Sequence, residues 1–513
     1  MIEDGASRPR LAAGDDCDVL LAAHGVGQGL VTILHFRYKV AAGDKIDASP
    51  MIDRGCLEVT GSSDPRCGPM RARQAKPRAR LCIAGLVFST LGFTPASALT
   101  EKLSNGVTLQ TVHPAGAENI AIRLLVPAGG RDDPRGSEGL AHYVEHLVAS
   151  GPGPLEPDGL KLSAHGYANA YTWPSVTVYV MDISPESLES GLSLLAERLS
   201  RLAASDAVAL REQRIVQHEY FMRYGNNPAT RLMTELRTKL GRTDATLGTS
   251  IGMPELIKTF DLSMARTFFD RWYRPETMTL VLAGPLDVET VAEVAERTIG
   301  AIPARPVLTR GPGGAPPVPA PVTVERDDPD AAVPIVLCHF FIRAITGPPA
   351  NVMKEHAAML ALQILFMGVN EGPKGLLASL RDGRKDVRAI TASVARLDRR
   401  WLQLGMYVES DLAASQTAMA SLVTRRLANL TERDVPDKLL TQLRDLADRI
   451  WLVTEDAPSA DAVIEWLRLG FAIEERSHLR TALMSLTKKD IAAFARKIAT
   501  PATSATVFLR PTQ

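Results

Sequence analysis

His142-Tyr143-Val144-Glu145-His146 puts two imidazoles and a carboxylate within five residues. On a helix, His142 and His146 stand one turn apart on one face, and Glu145, three residues after His142, shares that face. Two imidazoles so spaced can bind one zinc ion, and a carboxylate beside them can take and return a proton. The opposite face carries Leu140, Val144, Leu147 and Val148, so the helix packs while presenting its polar trio to a cavity. A surface helix with solvated His and Glu is the alternative that five residues alone leave open.

A catalytic zinc takes three protein ligands and leaves the fourth position to water. The order H-x-x-E-H inverts the H-E-x-x-H of other zinc peptidases. Glu219 is the candidate third ligand, on a helix expected over Asp206–Tyr224. Glu212 lies seven residues earlier on the same face, placed to hydrogen-bond a ligand histidine from behind. His218 is the rival third ligand, although it points ~100° away from Glu219 around the helix.

Elements must position these groups. Gly139–Ser150 reads as a helix closed by Gly151-Pro152-Gly153, and Asn105-Gly106 reads as a hairpin turn before Val107–Val112. Ile120–Val126 and Ser175–Ile183 read as strands, with a helix over Ser187–Leu202. Strands at Val333–Ile342, Val387–Val394 and Trp401–Val408 follow, with helices at Val352–Phe366, Ala413–Leu430 and Pro436–Leu452. Strands and helices without regular alternation predict an α+β fold. Residues 302–322 are rich in Pro and Gly and read as a linker. The segments on either side end alike: Phe268, Pro275 and Pro285 recur as Phe494, Pro501 and Pro511, always 226 residues on. That predicts two homologous domains, 99–301 with the metal motif and 323–513 without it, each a mainly antiparallel sheet covered by helices. The counterpart of the metal helix at that offset, around Gly368–Glu371, has no H-x-x-E-H. His113, His165, His339, His356 and His478 lack ligand spacing and read as surface or core residues, and Cys338 reads as core.

Gly129-Gly130-Arg131-Asp132 and the run Gly139 to Leu147 resemble the active-site signature of the pitrilysin/insulinase family of zinc peptidases with the inverted motif. The Glu212 and Glu219 pair resembles that family's downstream pair. The resemblance spans about residues 99–513. It implies two homologous domains facing a closed chamber, one Zn2+ per chain held by His142, His146 and Glu219, and Glu145 as the general base for a zinc-activated water. It implies an endopeptidase acting on short or unfolded peptides. Ala168-Asn169-Ala170-Tyr171-Thr172 resembles the family's substrate-binding edge strand, so Asn169 and Ala170 are expected to contact an extended peptide. Arg381 matches an arginine that holds substrate near the zinc. Seven residues on, where the family has a tyrosine, stands Arg388. Small bacterial members of the family often work as pairs, so the resemblance together with the missing tyrosine implies a heterodimer with a homologous zinc-less subunit that supplies the Arg/Tyr pair. The competing reading is a non-catalytic or weakly active subunit that serves assembly or peptide binding.

The chain has 513 residues and 58 basic against 58 acidic side chains, with only 5% aromatics. Zero net charge and few aromatics give no support to a nucleic-acid binder, and no apolar run makes a stable membrane span. Met70–Ala98 has a basic start, an apolar run from Leu81 to Phe93 and a closing Ala96-Ser97-Ala98, the parts of a secretory signal. Residues 1–69 show no sustained period and read as a non-native extension, with translation expected from Met70. Of the five cysteines, Cys17, Cys56, Cys67 and Cys82 precede the expected cleavage, which leaves Cys338 alone and no internal disulfide. The expected location is the bacterial periplasm or exterior. If 1–69 is instead a genuine extension, export is not expected. N-terminal mass spectrometry of the natural protein should find a chain starting at Leu99, and peptides from 1–69 would contradict this.

Overall fold

The computed structural model describes residues 100–512 apart from 115–116, 153–162, 164–165, 286, 306–315, 368–375, 378–383, 385, 412–415 and 455–458. The expected extension and signal segment, the middle of the linker, His165 and Arg381 lie outside the described residues.

The first half opens with the hairpin that Asn105-Gly106 predicts, β1 (Thr100–Lys102) against β2 (Thr108–Val112). It continues through β3 (Ile120–Val126), α1 (Leu140–Ser150), β4 (Gly166–Thr172), β5 (Thr177–Ile183), α2 (Leu188–Ser200), α3 (Asp206–Tyr220), α4 (Pro228–Gly241), α5 (Pro254–Ile257), α6 (Leu262–Trp272), β6 (Thr279–Ala283) and α7 (Val288–Thr298). The second half runs β7 (Val322–Asp328), β8 (Ile335–Arg343), α8 (Pro349–Met367), β9 (Val387–Arg396), β10 (Trp401–Ser410), α9 (Gln416–Ala428), α10 (Asp437–Thr454), α11 (Ala460–Arg468), α12 (Arg476–Ser485), α13 (Lys488–Ile498) and β11 (Thr503–Pro511).

The strand order is β1-β2-β6-β3-β5-β4 in one sheet and β7-β11-β8-β10-β9 in the other. Apart from β1, the two orders correspond strand for strand. Each has one parallel pair, β2 with β6 and β7 with β11, and is otherwise antiparallel. The fold is α+β in two similar halves. The offset of 226 holds for β6 and β11 but not throughout. Thr108 pairs with Thr279 as Val322 pairs with Ala505, so the first strands are offset by 214. Ala121 faces Asp182 as Ile335 faces Glu409, offsets of 214 and 227, so the second half gains its extra residues between those strands. There α1 has 11 residues and α8 has 19. The counterpart of the metal-motif helix among the described residues is therefore α8, and the stretch around Gly368–Glu371 lies outside the described residues.

Each sheet has helices of its own half on one face, but the other face is covered by a helix from the opposite half. Leu232, Met233 and Leu236 of α4 join a core with Leu337, Trp401 and Val507 of the second sheet. Val463 and Ile464 of α11 join one with Val178, Val180 and Val281 of the first. Burying such a side chain is worth about 1.5–3 kcal/mol, so the exchange fastens the halves firmly. Arg123, on β3, adds a two-pronged pair to Asp461 of α11 at 2.6 and 3.1 Å and a bond to Asp182 at 2.7 Å.

On α8 the polar residues serve the core. Glu355 accepts from Ile345 N at 2.9 Å and Arg396 Nη2 at 2.7 Å and pairs with Lys497. Removing one partner from so buried a pair strands the other charge. Glu355→Ala should therefore lower the unfolding free energy by about 3–5 kcal/mol, read from urea denaturation.

Candidate metal centre

α1 starts where two loops meet. Gly139 has φ +108°, and a Cβ there would stand 2.6 Å from Gly252 Cα, so only glycine fits. Asp133 accepts from the N–H groups of Gly139 and Ala141, both at 2.7 Å, which satisfies donors that the helix start would leave bare. Burial holds the Asp133 carboxyl well above its usual range, and those two N–H bonds offset part of the rise. Upstream, Gly130 N and Arg131 N donate to Trp173 O and Pro174 O at 3.1 and 2.8 Å, in the turn between β4 and β5. A Cβ on Gly129 would lie 2.1 Å from Trp173 O, so this seam needs glycine too. One loop thus ties the start of α1 to the end of β4.

Leu140, Val144, Leu147 and Val148 are buried in the first-half core, as the apolar stripe predicts. α1 lies against α3, and the Tyr143 hydroxyl crosses between them to Ala209 O at 2.9 Å. Beyond it sits Glu212, 4% exposed. It meets His146 Nδ1 at 3.1 Å and accepts from Ser150 Oγ at 2.8 Å and from Arg211 at 3.0 and 2.8 Å. Burial alone would raise the Glu212 carboxyl, but these donors hold it below the usual carboxylate range. A carboxylate facing Nδ1 selects the tautomer with the proton there, which leaves the Nε2 lone pair free.

Both free edges converge on Glu219. His142 Nε2 is 3.6 Å from Glu219 Oε2, and His146 Nε2 is 3.6 Å from Oε1. One ligand atom from each of the three residues lies within 4.8 Å of the others. These gaps are too long for hydrogen bonds and suit a shared cation. Glu219 Oε2 and His142 Nδ1 are buried with no hydrogen-bond partner among the described residues, although Arg223 Nη2 stands 3.5 Å from Oε2. Two imidazoles and a carboxylate match the donor set of a catalytic zinc, so the residues present fit that ion. His218 is exposed and stands outside the group. Burial, then His146 and Arg223, push His142 well below its ordinary range, towards the neutral form that binds metal. Burial also pulls His146 down, but Glu212, Glu145 and Glu219 outweigh it and leave His146 raised.

Glu145 is 5% exposed and accepts from Thr172 Oγ1 at 2.7 Å. Burial raises its carboxyl, the direction a general base needs. Thr172 ends β4, the edge strand of its sheet. The Trp173 N to Val176 O bond fixes the alternation, so Ala168, Ala170 and Thr172 turn their backbone groups to the free edge. Asn169 does not simply await a ligand. Its Nδ2 donates to the hydroxyls of Tyr167 and Tyr171 at 3.1 and 2.9 Å, and its Oδ1 takes the Ala170 N–H at 2.9 Å. Beside Glu219, Leu210, Ile215, Arg211 and Arg214 border an open groove of about 400 Å3 along α3. Arg388 is exposed on β9 and paired with Asp411.

Residues 109–255 match the family model described as insulinase, peptidase family M16, and residues 259–446 match the peptidase M16 inactive domain. The chain belongs to the insulinase family, M16. Among its relatives is a zinc protease of Rickettsia bellii, 27% identical over 205 residues, 39% of this chain and 49% of that protein. The chain spans about half or less of the length of the curated relatives it matches. A protease from Helicobacter pylori shares the fold at TM-score 0.67 and 19% identity, over 81% of this chain and 99% of that one. So does the first half of the periplasmic protease PqqL from Escherichia coli, at TM-score 0.61 and 17% identity, over 81% and 92%.

The motif spacing brought His142, His146, Glu219 and Glu212 to notice. It missed Asp133, Ser150, Arg211 and Thr172, which hold the helix or its carboxylates. Asp133 had a signal, an acidic residue just before a glycine-started helix; Thr172 had none. Asp133→Ala should lower stability by about 1–3 kcal/mol, read from urea denaturation, because it leaves two buried N–H groups bare.

Proposed function

We propose that the chain is a zinc-dependent endopeptidase that cleaves short or unfolded peptides, with Glu145 as general base. The observation that carries this reading is the convergence of His142, His146 and Glu219 within 4.8 Å beside a buried Glu145. The M16 family and the relatives described as zinc proteases support it.

His142, His146 and Glu219 would hold Zn2+. Bound there, zinc would supply a Lewis acid that lowers the pKa of water towards about 7. Glu212 keeps the His146 tautomer that offers Nε2. Thr172 anchors Glu145 through Oε2. Glu145 accepts the proton of the attacking water and returns it to the leaving amine. An extended peptide adds to the free edge of β4, where it exchanges its own carbonyl for the Asn169 Oδ1 on Ala170 N. β5 backs that edge.

The partner is a homologous zinc-less subunit that supplies the Arg/Tyr pair, because Arg388 occupies the tyrosine's place and is tied to Asp411. Arg381 completes the contacts to substrate. The domains are 99–301, with the metal, and 323–513, joined by the linker at 302–322. The enzyme works in the periplasm or outside the cell, exported by the segment from Met70. Arg388 also favours a second reading, a subunit kept for assembly or peptide binding.

Metal content and peptide cleavage of the wild type and Glu145→Gln, each alone and with the partner, test both readings. Both proteins should hold one zinc per chain. The wild type should cleave efficiently only with its partner, and Glu145→Gln should lose at least about 10²-fold in rate. A near-normal Glu145→Gln rate would refute the role of Glu145. A zinc-loaded wild type that is inert with its partner would leave the second reading standing.

A further inference from the structure

A small cavity lies at the junction of the halves. It measures about 50 Å3, and its wall includes Ser250, Tyr224 and Arg237 from the first half and His339 and Arg468 from the second. His339 is 1% exposed on β8, and among the described residues neither of its ring nitrogens has a hydrogen-bond partner. Ser250 is 3% exposed, and its Oγ is equally without a hydrogen-bond partner among the described residues. A lone core histidine satisfies at least one nitrogen as a rule, so two neighbouring polar side chains left bare towards the same space point to an absent occupant.

The charge of that occupant follows from the wall. Arg237, on α4, gives Nε to Leu247 O at 3.0 Å and Nη2 to Gly248 O at 2.6 Å. Both partners are neutral carbonyls. Among the described residues no carboxylate pairs with it, and no carboxylate lines the cavity. Loss of water around the guanidinium pulls it down to about 10, and the nearby Tyr224 offsets part of that fall. The other cation in the wall, Arg468, is already matched by Glu465 at 2.8 and 2.5 Å. Arg237 is half-buried and also lies over the Phe341 ring, 6.0 Å from its centroid, so carbonyls and a ring face meet its charge but no anion does among the described residues. The volume exceeds the roughly 10–15 Å3 that a single water needs and is too small for a nucleotide or a peptide.

We propose that this cavity binds a small monoanion, of halide or simple carboxylate size, between the Arg237 guanidinium, the Ser250 hydroxyl and the His339 ring, and that the anion fastens the two halves. Ser250 donates its hydroxyl proton, and neutral His339 presents one N–H in either tautomer. The site adjoins the chemistry without sharing its residues. Trp173 and Tyr224 are in its wall, the first next to Thr172 and the second on the π-helical turn (Phe221–Gly225) that follows α3 and Glu219. The inference does not depend on the proposed activity.

Crystals of the wild-type protein grown with sodium bromide should show an anomalous peak among Arg237, Ser250 and His339, and acetate should displace it. In solution, bromide or acetate should raise the thermal midpoint above that in gluconate of equal ionic strength, since gluconate is too bulky for the cavity. Arg237→Met should abolish both effects. If that variant does not fold, Ser250→Ala should weaken bromide binding severalfold. Water alone in the wild-type cavity at saturating bromide, or a midpoint indifferent to the choice of anion, would overturn the proposal.

Discussion

Two imidazoles one turn apart can face an ion from one side only, so the centre depends on how α3 is held against α1. Three contacts set that distance: the shared apolar core, the Tyr143 hydroxyl on Ala209 O, and Glu212 under His146. The last is doubly constrained, because Glu212 also takes Ser150 on α1 and Arg211 on its own helix. A shift of α3 would separate Glu219 from the histidines and break a buried charged bond in the same movement. The ligand atoms are therefore preorganised.

A second constraint comes from the duplicated fold. Each half lends one helix to the other's sheet, so neither sheet has a complete core by itself. The halves have since diverged in the helix that matters. α1 turns its polar residues towards α3 and a common point, whereas α8 spends Glu355 on Arg396 and Lys497 within its own core and packs His356 against Trp466 and Phe471. The same place in the topology carries chemistry in one half and structure in the other.

Much of this was legible in the sequence because it is local. The apolar stripe of α1, the seven-residue spacing of Glu212 and Glu219 and the Asn105-Gly106 turn are properties of a few adjacent turns. What was not legible joins distant elements. Thr172 reaches Glu145 only because β4 is drawn to α1 by the Gly129-Gly130 loop. An amphipathic stripe on α4 or α11 says that a face is buried but not against which sheet. The offset of 226, sound at the chain ends, misplaced the counterpart of α1 because the second half lengthens between β8 and β10. His339 read as an ordinary core residue, and only the structure sets it beside an unpaired arginine.

The account stands or falls on whether the three converging side chains hold zinc. Zinc K-edge X-ray absorption on the metal-loaded protein tests this most directly. The account predicts one zinc per chain, bound by two imidazole nitrogens and carboxylate oxygen, with a Glu219→Ala variant losing the carboxylate and most of the affinity. Zinc that fails to bind, or that binds in a shell unchanged by the loss of Glu219, would contradict it.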